Sequence, residues 1–282
     1  MARKIVAVTG GSSGIGLATA KAFAAQGADV ALIARNPERL QAARAEVEAS
    51  RREADQRVTV YECDIVDRDR VFSVFDAVGR ELGTPDVLVN SAGIFLPGYF
   101  ESMPEEWFRQ HLEIDVLGMM YACRAVVPSM IARGSGHVVN VASVAGFMGV
   151  FGYTAYSTAK FAVIGFSEAL RGEMLPLGIK VSVVCPPDVD TPGLALEKSL
   201  RPAETDKVCG NMAAVQPEFV AREIVAAVDK GRYLVIPGFV GKVYYRLKGL
   251  LPELYFLITD GDVAKARKQR LAATEQPAEE RA

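Results

Sequence analysis

Thr9-Gly10-Gly11-Ser12-Ser13-Gly14-Ile15-Gly16 is the stretch of sequence that decides the fold. It follows the apolar run 5–9, which is typical of a buried strand, and precedes a helical pattern from Leu17 to Gln26. A glycine-rich turn in this position lets the backbone approach a pyrophosphate, while the helix N-terminus supplies free N–H groups and positive dipole. We therefore predict a dinucleotide-binding turn rather than an ordinary glycine-rich turn. The predicted contacts come from Gly10, Ser12, Ser13, Gly14, Ile15 and Gly16.

Short β-rich runs alternate with longer helical ones along the chain, which predicts an α/β fold. Most runs are apolar on both faces, as expected for a parallel sheet that helices cover on both sides. We predict a doubly wound parallel sheet (a Rossmann fold) in a single catalytic domain, 1–236, with an amphiphilic C-terminal extension, 237–282, whose polar end is frayed. The predicted strands are Ile5–Thr9, Asp29–Ala34, Val58–Cys63, Val87–Asn90, His137–Ala142 and Lys180–Cys185, with Tyr233–Ile236 as a seventh. Helical patterns include Pro37–Arg52 and Arg68–Leu82.

The composition is that of a globular, enzyme-sized chain of 282 residues, 50% hydrophobic, with a formal charge of -2. The balanced charge excludes a dedicated nucleic-acid binder, and the hydrophobicity excludes intrinsic disorder. Four widely spaced cysteines and two histidines argue against a disulfide framework, a metal site or a His-based triad. We expect a reducing, cytoplasmic location. The N-terminus lacks a signal-peptide pattern, and no uninterrupted apolar run reaches the roughly 18 residues of a membrane-spanning helix.

The end of the second predicted strand indicates which dinucleotide is bound. An acidic residue there would bond the ribose hydroxyls of NAD, but this chain has Arg35, with Arg39 one helical turn later. A guanidinium is a bidentate donor suited to a 2′-phosphate, and a solvated surface arginine is the alternative. The missing carboxylate and the two arginines predict NADPH as the cofactor. Asp64, after the third strand, is predicted either to accept from the adenine amino group or to cap the following helix.

Three residues predict carbonyl chemistry: Ser143 ends the fifth strand, and Tyr156 and Lys160 follow it, four residues apart. Residues i and i+4 share a helix face, so the ammonium of Lys160 can lie beside the phenol of Tyr156. A free tyrosine has a pKa of about 10, which a nearby positive charge lowers toward the working range. Ser143 can then hydrogen-bond a substrate carbonyl during hydride attack. The alternative for the pair is an amphipathic helix face with a snorkelling lysine.

Over roughly Ile5 to Ile236, the chain resembles the short-chain dehydrogenase/reductase family. The matching motifs are the turn 9–16, Asn90-Ser91-Ala92-Gly93, Ser143 and Tyr156-Ser157-Thr158-Ala159-Lys160. The resemblance implies that Tyr156 is the proton donor in carbonyl reduction, that Lys160 holds the ribose and lowers the pKa of the tyrosine, and that Ser143 orients the carbonyl. It also implies that Asn90 supports the central strand near the cofactor. The further cofactor contacts expected are Ile65, Ala92, Gly93, Val189 and Thr191.

Asp115 departs from the pattern of that family. Family members usually have an asparagine here, which anchors a proton-relay water. An aspartate accepts hydrogen bonds from water but lacks the amide donors. Asp115 is therefore a candidate catalytic residue in an altered relay.

The loop after the sixth strand narrows the substrate. Its sequence, Cys185-Pro186-Pro187-Asp188-Val189-Asp190-Thr191-Pro192-Gly193, together with the segment 151–156, is similar to that of the 3-ketodihydrosphingosine reductases. This resemblance implies NADPH-dependent reduction of the 3-keto group of a long-chain sphingoid base, a step of sphingolipid synthesis. The alternative is a reductase of another lipophilic ketone, of hydroxysteroid or fatty-acyl type. A non-catalytic dinucleotide-binding protein is a third reading, against which the intact Ser-Tyr-Lys set argues.

The segment 239–258 mixes apolar and aromatic residues with Lys242, Arg246 and Lys248. Such a segment suits contact with a membrane surface or a lipid chain, and a dimer interface or a cap over the active site is the alternative. We expect a cytoplasmic enzyme that is peripheral at a membrane surface. The family resemblance implies a homo-oligomer, with which the apolar segment Val116 to Val127 is compatible.

Overall fold

The computed structural model describes residues 3–205 and 214–275. Its seven strands all belong to one sheet. They are β1 (Ile5–Thr9), β2 (Asp29–Ala34), β3 (Val58–Glu62), β4 (Val87–Asn90), β5 (Gly136–Val141), β6 (Ile179–Val184) and β7 (Leu234–Val235).

The strands run parallel in the order β3-β2-β1-β4-β5-β6-β7, which confirms the predicted doubly wound fold. The chain winds outward from β1 in one direction and from β4 in the other, so a crevice opens at the carboxyl ends of these two strands. The register pairs Thr9 with Ile33 of β2 and with Asn90 of β4. The segments that follow these three strands therefore emerge side by side.

Helices cover both faces of the sheet. They are α1 (Gly14–Ala25), α2 (Pro37–Ala49), α3 (Arg68–Glu81), α4 (Glu105–His111), α5 (Met119–Arg133), α6 (Thr154–Met174), α7 (Pro192–Leu200), α8 (Pro217–Lys230), α9 (Val240–Leu250) and α10 (Pro252–Glu275). On one face, Phe23, Leu40 and Ile224 from α1, α2 and α8 share a hydrophobic cluster. On the other face, α3, α5 and α6 contribute to a second cluster, which also contains Tyr255 of α10.

The predicted boundaries differ from the observed ones by a few residues because caps and hydrogen bonds end an element, whereas hydropathy does not. The first helix begins at Gly14 rather than Leu17, since glycines carry no hydrophobic signal. The second ends at Ala49 rather than Arg52. The strands β3, β5 and β6 end one residue earlier than predicted, and β7 keeps only two of the four predicted residues.

One continuous helical stretch, Glu105–Arg133, is long and apolar enough, by length and composition, to cross a membrane. It consists of α4, π-helical turns over Leu112–Gly118, and α5. In its most apolar window, 44% of the residues are buried, and Met119, Val126 and Met130 belong to the hydrophobic cluster against the sheet. This stretch is therefore a core helix of the fold.

The C-terminal extension packs on the sheet domain through the helices α9 and α10. Tyr255 is 2% exposed within the second hydrophobic cluster, and Tyr244 and Leu247 pack against the same cluster. The ammonium of Lys248 donates to the carbonyl oxygen of Phe147 at 2.8 Å. These contacts join the extension to the segment just after Ser143. The end of the predicted frayed segment, 276–282, lies outside the described residues.

Candidate active site

A cavity of about 790 Å³ lies at the carboxyl ends of the strands. Ligands of open α/β sheets bind at this position, where the strand order reverses. The predicted residues that line the cavity are Gly10, Ser12, Ser13, Gly14, Ile15, Arg35, Arg39, Asp64, Ile65, Ala92, Gly93, Ser143, Tyr156, Lys160, Val189 and Thr191. The structure therefore brings most of the predicted site together.

The glycine-rich turn brings the main chain of β1 close to the segment after β4. Gly10 has a φ of 67°, and a Cβ at this position would lie 2.7 Å from the backbone nitrogen of Ala92. Glycine is required on both counts. Ser13 occupies the N-cap position of α1 without a side-chain capping bond. The cavity therefore reaches a helix N-terminus whose free N–H groups and dipole favour phosphate.

Gly16 and Asn90 stand behind the cavity wall rather than in it. A Cβ on Gly16 would overlap the carbonyl oxygen of Gly10, so this glycine lets α1 pack on the turn. The Asn90 amide donates to Asn140 Oδ1 at 2.9 Å and to Cys123 Sγ at 3.3 Å. Asn90 thus ties β4 to β5 and α5, in agreement with its predicted supporting role but without facing the cavity.

Arg35 and Arg39 form the cavity edge after β2. Both side chains are exposed, and both line the cavity. Asn36 caps α2 by accepting a hydrogen bond from the Arg39 nitrogen at 2.8 Å. Among the described residues, no carboxylate pairs with either guanidinium. This edge of the cavity therefore presents two cations that an anionic ligand can meet.

Asp64 does not cap the helix that follows β3. Its Oδ1 accepts a hydrogen bond from the Val66 nitrogen at 3.2 Å. The N-cap of α3 is Asp67, whose Oδ1 accepts from the Arg70 nitrogen at 3.0 Å. The capping alternative predicted for Asp64 is therefore wrong, and its carboxylate remains on the cavity wall.

Ser143, Tyr156 and Lys160 meet on the cavity wall as their spacing predicts. Ser143 follows β5, and its Oγ accepts from the Ala145 nitrogen at 3.1 Å. Tyr156 and Lys160 lie one turn apart on α6, with the ammonium 5.6 Å from the centre of the phenol ring. Lys160 is 6% exposed and donates to the carbonyl oxygen of Val141 at 3.2 Å. The three side chains can therefore act on one bound group.

The pKa of Tyr156 is shifted in the direction opposite to the one predicted. Burial raises this pKa above its ordinary value, although the hydrogen bond with Ser143 lowers it. The negative charge of Asp115 raises it further. Desolvation thus outweighs the effect expected from Lys160, and the phenol is held in its protonated form, which a proton donor needs.

Asp115 lies in the π-helical turns between α4 and α5, behind Lys160. Its Oδ1 accepts from the Ile94 nitrogen at 3.1 Å and lies 3.5 Å from Lys160 Nζ. Its Oδ2 is buried without a partner in the described part of the chain. Burial raises the pKa of Asp115, and the charge of Lys160 opposes this rise. Asp115 thus links the loop after β4 to the lysine without lining the cavity.

His111 has a positioning role that the sequence reasoning missed. Its Nδ1 donates to the carbonyl oxygen of Trp107 at 2.7 Å, and its Nε2 accepts from the Leu96 nitrogen at 3.1 Å. Burial lowers its pKa, so the ring is neutral. The ring centre lies 6.0 Å from that of Tyr156. His111 therefore holds the loop after β4 beside the phenol, and a single histidine offered no spacing that signals this.

The comparisons with known proteins identify the family. A sequence model described as short chain dehydrogenase matches residues 4–201. The chain belongs to the short-chain dehydrogenase family. A 3-ketodihydrosphingosine reductase of Bos taurus is 42% identical to it over 229 residues, which cover 81% of this chain and 69% of that protein. A 3-dehydrosphinganine reductase of Danio rerio has the same identity and coverage.

Solved structures of other short-chain dehydrogenases share the fold. Levodione reductase superposes with a TM-score of 0.76 at 28% identity, covering 83% of this chain and 95% of its own. A short-chain dehydrogenase from Sphingobium yanoikuyae in complex with NADPH has a TM-score of 0.75 at 25% identity, covering 89% and 94% respectively. This short-chain dehydrogenase is accordingly an oxidoreductase of a family that binds a nicotinamide dinucleotide. In the ranges 3–205 and 214–275, no group of three or more potential ligands could hold a metal ion.

An ion-pair cluster joins the loop after β6 of this short-chain dehydrogenase to the C-terminal end of α7. Arg201 Nη2 lies 2.7 Å from Asp188 Oδ2 and 2.6 Å from Glu197 Oε1. The Tyr153 hydroxyl donates to Glu197 as well. In the same loop, Thr191 caps α7 by accepting from the Leu194 nitrogen at 3.2 Å. The residues of this cluster are far from Tyr156 in sequence, apart from Tyr153, and no motif links them.

The last helix of this short-chain dehydrogenase joins two loops beside the cavity. Arg270 Nη1 donates to Glu204 Oε1 at 3.0 Å and also to the Tyr99 hydroxyl. Tyr99 in turn donates to Glu204 Oε2 at 2.7 Å. Glu204 is 2% exposed. From the extension, Val240, Tyr244, Thr259 and Asp262 line the cavity directly.

Proposed function

We propose that this short-chain dehydrogenase uses NADPH to reduce the 3-keto group of a long-chain sphingoid base, converting 3-ketodihydrosphingosine to dihydrosphingosine. The observation that carries the proposal is one cavity with Ser143, Tyr156 and Lys160 on its wall and two arginines at its edge. The 42% identity to reductases named for this substrate supports the assignment.

The residues present fit NADPH. At Gly10 the turn approaches the backbone of Ala92 too closely for a Cβ, and a helix N-terminus adjoins the turn at the cavity. Arg35 and Arg39 have no ion-pair partner in the described residues and would bind the 2′-phosphate. Lys160 would hold the ribose. The other proposed contacts are Ser12, Ser13, Gly14 and Ile15 for the pyrophosphate, Asp64 and Ile65 for the adenine, Ala92 and Gly93 beside the ribose, and Val189 and Thr191 for the carboxamide.

The catalytic residues divide the reduction between them. Bound NADPH supplies the hydride that the carbonyl carbon accepts. Ser143 and Tyr156 donate hydrogen bonds to the carbonyl oxygen, which stabilises the negative charge that develops there. Tyr156 then transfers its proton to this oxygen, and the product is the alcohol. Asp115 keeps the ammonium of Lys160 next to the phenol by balancing its charge at 3.5 Å.

We assign the lipid end of the site to the extension, 237–282, which complements the catalytic domain, 1–236. Val240 and Tyr244 of the extension line the cavity and would contact an alkyl chain. Outside the cavity, the hairpin of α9 and α10 exposes large apolar side chains, of which Phe239 and Leu250 are each 77% exposed and Leu257 is 73% exposed. This surface supports peripheral contact with a membrane from the cytoplasmic side.

Flotation with vesicles containing anionic lipid tests the membrane contact. Full-length protein is expected to float with the vesicles, and the double variant Leu250→Ser, Leu257→Ser is expected to stay in solution. Both proteins should reduce a short, water-soluble ketone at equal rates. Equal flotation of the two proteins would contradict the contact.

We also propose a homo-oligomer that forms through the α4–α5 surface, where Leu117 and Ile131 are each 39% exposed. Light scattering after gel filtration measures the mass directly. A dimer or tetramer is expected, and Leu117→Arg should shift it toward the monomer. A monomeric wild-type protein would contradict the proposal.

A substrate panel tests the proposed function against reductases of other lipophilic ketones. The panel contains the long-chain keto base, a ketosteroid and a β-keto fatty-acyl thioester, each measured by NADPH oxidation. We expect the highest kcat/KM for the keto base. A higher kcat/KM for either of the other ketones would move the assignment to that substrate.

A further inference from the structure

The catalytic part of the cavity carries an excess of negative charge. Apart from Arg35, Arg39 and Asp64, the charged side chains that line the cavity are Lys160, Asp188, Glu197 and Asp262. Two of them have a counter-ion close behind the wall, since Asp115 approaches Lys160 at 3.5 Å and Arg201 approaches Glu197 at 2.6 Å.

Asp188 shares its cation with a second carboxylate. Its Oδ2 bonds Arg201 at 2.7 Å, while the same guanidinium nitrogen also bonds Glu197. One guanidinium therefore neutralises two carboxylates only in part. Arg201 is 3% exposed, whereas the Asp188 side chain is 30% exposed. The partly uncompensated charge is thus accessible at Asp188, from within the cavity.

Packing brings this carboxylate pair close to the reacting phenol. The rings of Tyr153 and Tyr156 have centres 5.8 Å apart. The Tyr153 hydroxyl bonds Glu197, and the Arg201 guanidinium lies 5.9 Å from the centre of the Tyr153 ring. A carbonyl oxygen held by Tyr156 therefore has the Asp188–Arg201–Glu197 cluster as its neighbour on the substrate side.

A sphingoid ketone has a matching positive charge. Its amine is attached to the carbon next to the carbonyl carbon, and an aliphatic amine of this kind is largely protonated near neutral pH. We propose that Asp188 is a specificity-determining residue that binds a protonated amine on the carbon adjacent to the ketone. This inference rests on the proposed function and adds to it the residue that would recognise the amine of the substrate. Arg201 acts as a positioning residue that fixes the orientation of the Asp188 carboxylate.

The position of the loop supports the assignment beside the charges. Asp188 belongs to the segment after β6, of which residues 186–189 line the cavity. The carbonyl chemistry of Ser143, Tyr156 and Lys160 does not itself require an acidic residue on the substrate side. An amine on the substrate does require one, because a charge removed from water needs a counter-ion.

The test compares two ketones that differ only in the amine. Full-length protein with saturating NADPH receives 3-ketodihydrosphingosine, or the 1-hydroxy-3-ketone of the same chain length without the amine. The wild type is expected to prefer the amino ketone in kcat/KM. Asp188→Asn should lower kcat/KM for the amino ketone by about 10-fold or more, as for a lost charge-assisted bond, and change that for the amine-free ketone by less than about threefold.

Two further variants separate binding from folding. Asp190→Asn removes the same charge two residues away at an exposed position, and it should leave the preference unchanged. Asp188→Glu keeps the charge and should restore part of the preference. The preference of the wild type should also fall as pH rises through the pKa of the substrate amine, whereas Asp188→Asn should show no such fall.

The outcomes distinguish failure of the amine subsite from failure of the proposed function. If the wild type reduces the keto base but Asp188→Asn keeps the same preference ratio, the amine subsite is refuted and the proposed function stands. If the wild type reduces the amine-free ketone and not the keto base, both are refuted.

Discussion

Replacing Arg35 by alanine is expected to weaken the binding of NADPH selectively. The guanidinium is exposed at the cavity edge and pairs with no carboxylate in the described residues, so its removal breaks no internal ion pair. The free energy of unfolding should therefore change by less than about 0.5 kcal/mol. The variant should instead lose binding free energy for NADPH, because a hydrogen bond to a charged group contributes about 1.5–3 kcal/mol.

Solvent exposure places the expected loss near the lower limit of this range, which corresponds to about a 10-fold increase in the Kd of NADPH. NADH lacks the 2′-phosphate, so its Kd should change less than about twofold. Calorimetric titration of the protein with each dinucleotide measures the Kd of NADPH and the Kd of NADH. Because exposed charges are screened, the selective loss should shrink as the salt concentration rises.

Arg44→Ala provides the control, since Arg44 lies on α2, which begins two residues after Arg35, and pairs with Glu48 at 2.9 Å. It should leave both Kd values unchanged. Equal weakening of NADPH and NADH by Arg35→Ala would contradict the proposed 2′-phosphate contact, because the arginine would then bind a group that the two dinucleotides share.

Three further predictions follow from the site. Tyr156→Phe should lower kcat for ketone reduction at least about 100-fold and leave the Kd of NADPH unchanged, and retained turnover would contradict its role as proton donor. Burial raises the pKa of Tyr156, so the phenol stays protonated as pH rises. The kcat/KM for reduction should therefore show no loss from ionisation of the phenol up to about pH 9. A fall in kcat/KM centred near pH 7 that Tyr156→Phe abolishes would contradict this prediction. Arg270→Ala should raise KM for the ketone about fivefold with little change in kcat, because the bonds of Arg270 to Glu204 and Tyr99 hold α10, whose Thr259 and Asp262 line the cavity. Arg270→Lys should recover part of the loss, and an unchanged KM would show that this contact does not shape the site.

The fold was predictable because its signals are local. Most β-rich runs are apolar on both faces, and the turn 9–16 indicates which strand comes first in the nucleotide-binding half. Element ends were less predictable, as the N-cap of α3 illustrates. Both Asp64 and Asp67 are suitable capping residues by type, and only the backbone geometry decides that Asp67 does so.

The candidate catalytic residues stand in short motifs that the sequence displays, whereas their electrostatics depends on burial. The sequence spacing of Tyr156 and Lys160 correctly predicts one helix face, but it contains no information on how much water reaches the phenol. In the folded protein, desolvation dominates and raises the pKa of Tyr156. The effect of Asp115 on Lys160 also depends on the folded structure, because Asp115 lies in π-helical turns that no local sequence pattern predicts.

Clusters assembled from distant segments were not predictable. Arg201 contacts Asp188 across thirteen positions, and Arg270 contacts Tyr99 across 171. Such pairs have no fixed spacing, since they depend on how loops return to the cavity. The stretch 185–193 contains Asp188, but nothing in the sequence identifies Arg201 as its partner.

Reduction of 3-ketodihydrosphingosine by the purified protein tests the proposed function directly. Purified full-length protein is mixed with NADPH and 3-ketodihydrosphingosine, NADPH oxidation is followed by absorbance, and the lipid product is identified by mass. We predict dihydrosphingosine, two hydrogen masses heavier than the ketone, formed in a one-to-one ratio with the NADPH oxidised, and at least about 100-fold slower with Tyr156→Phe. Unchanged ketone in the presence of wild-type protein that binds NADPH would contradict the proposed function.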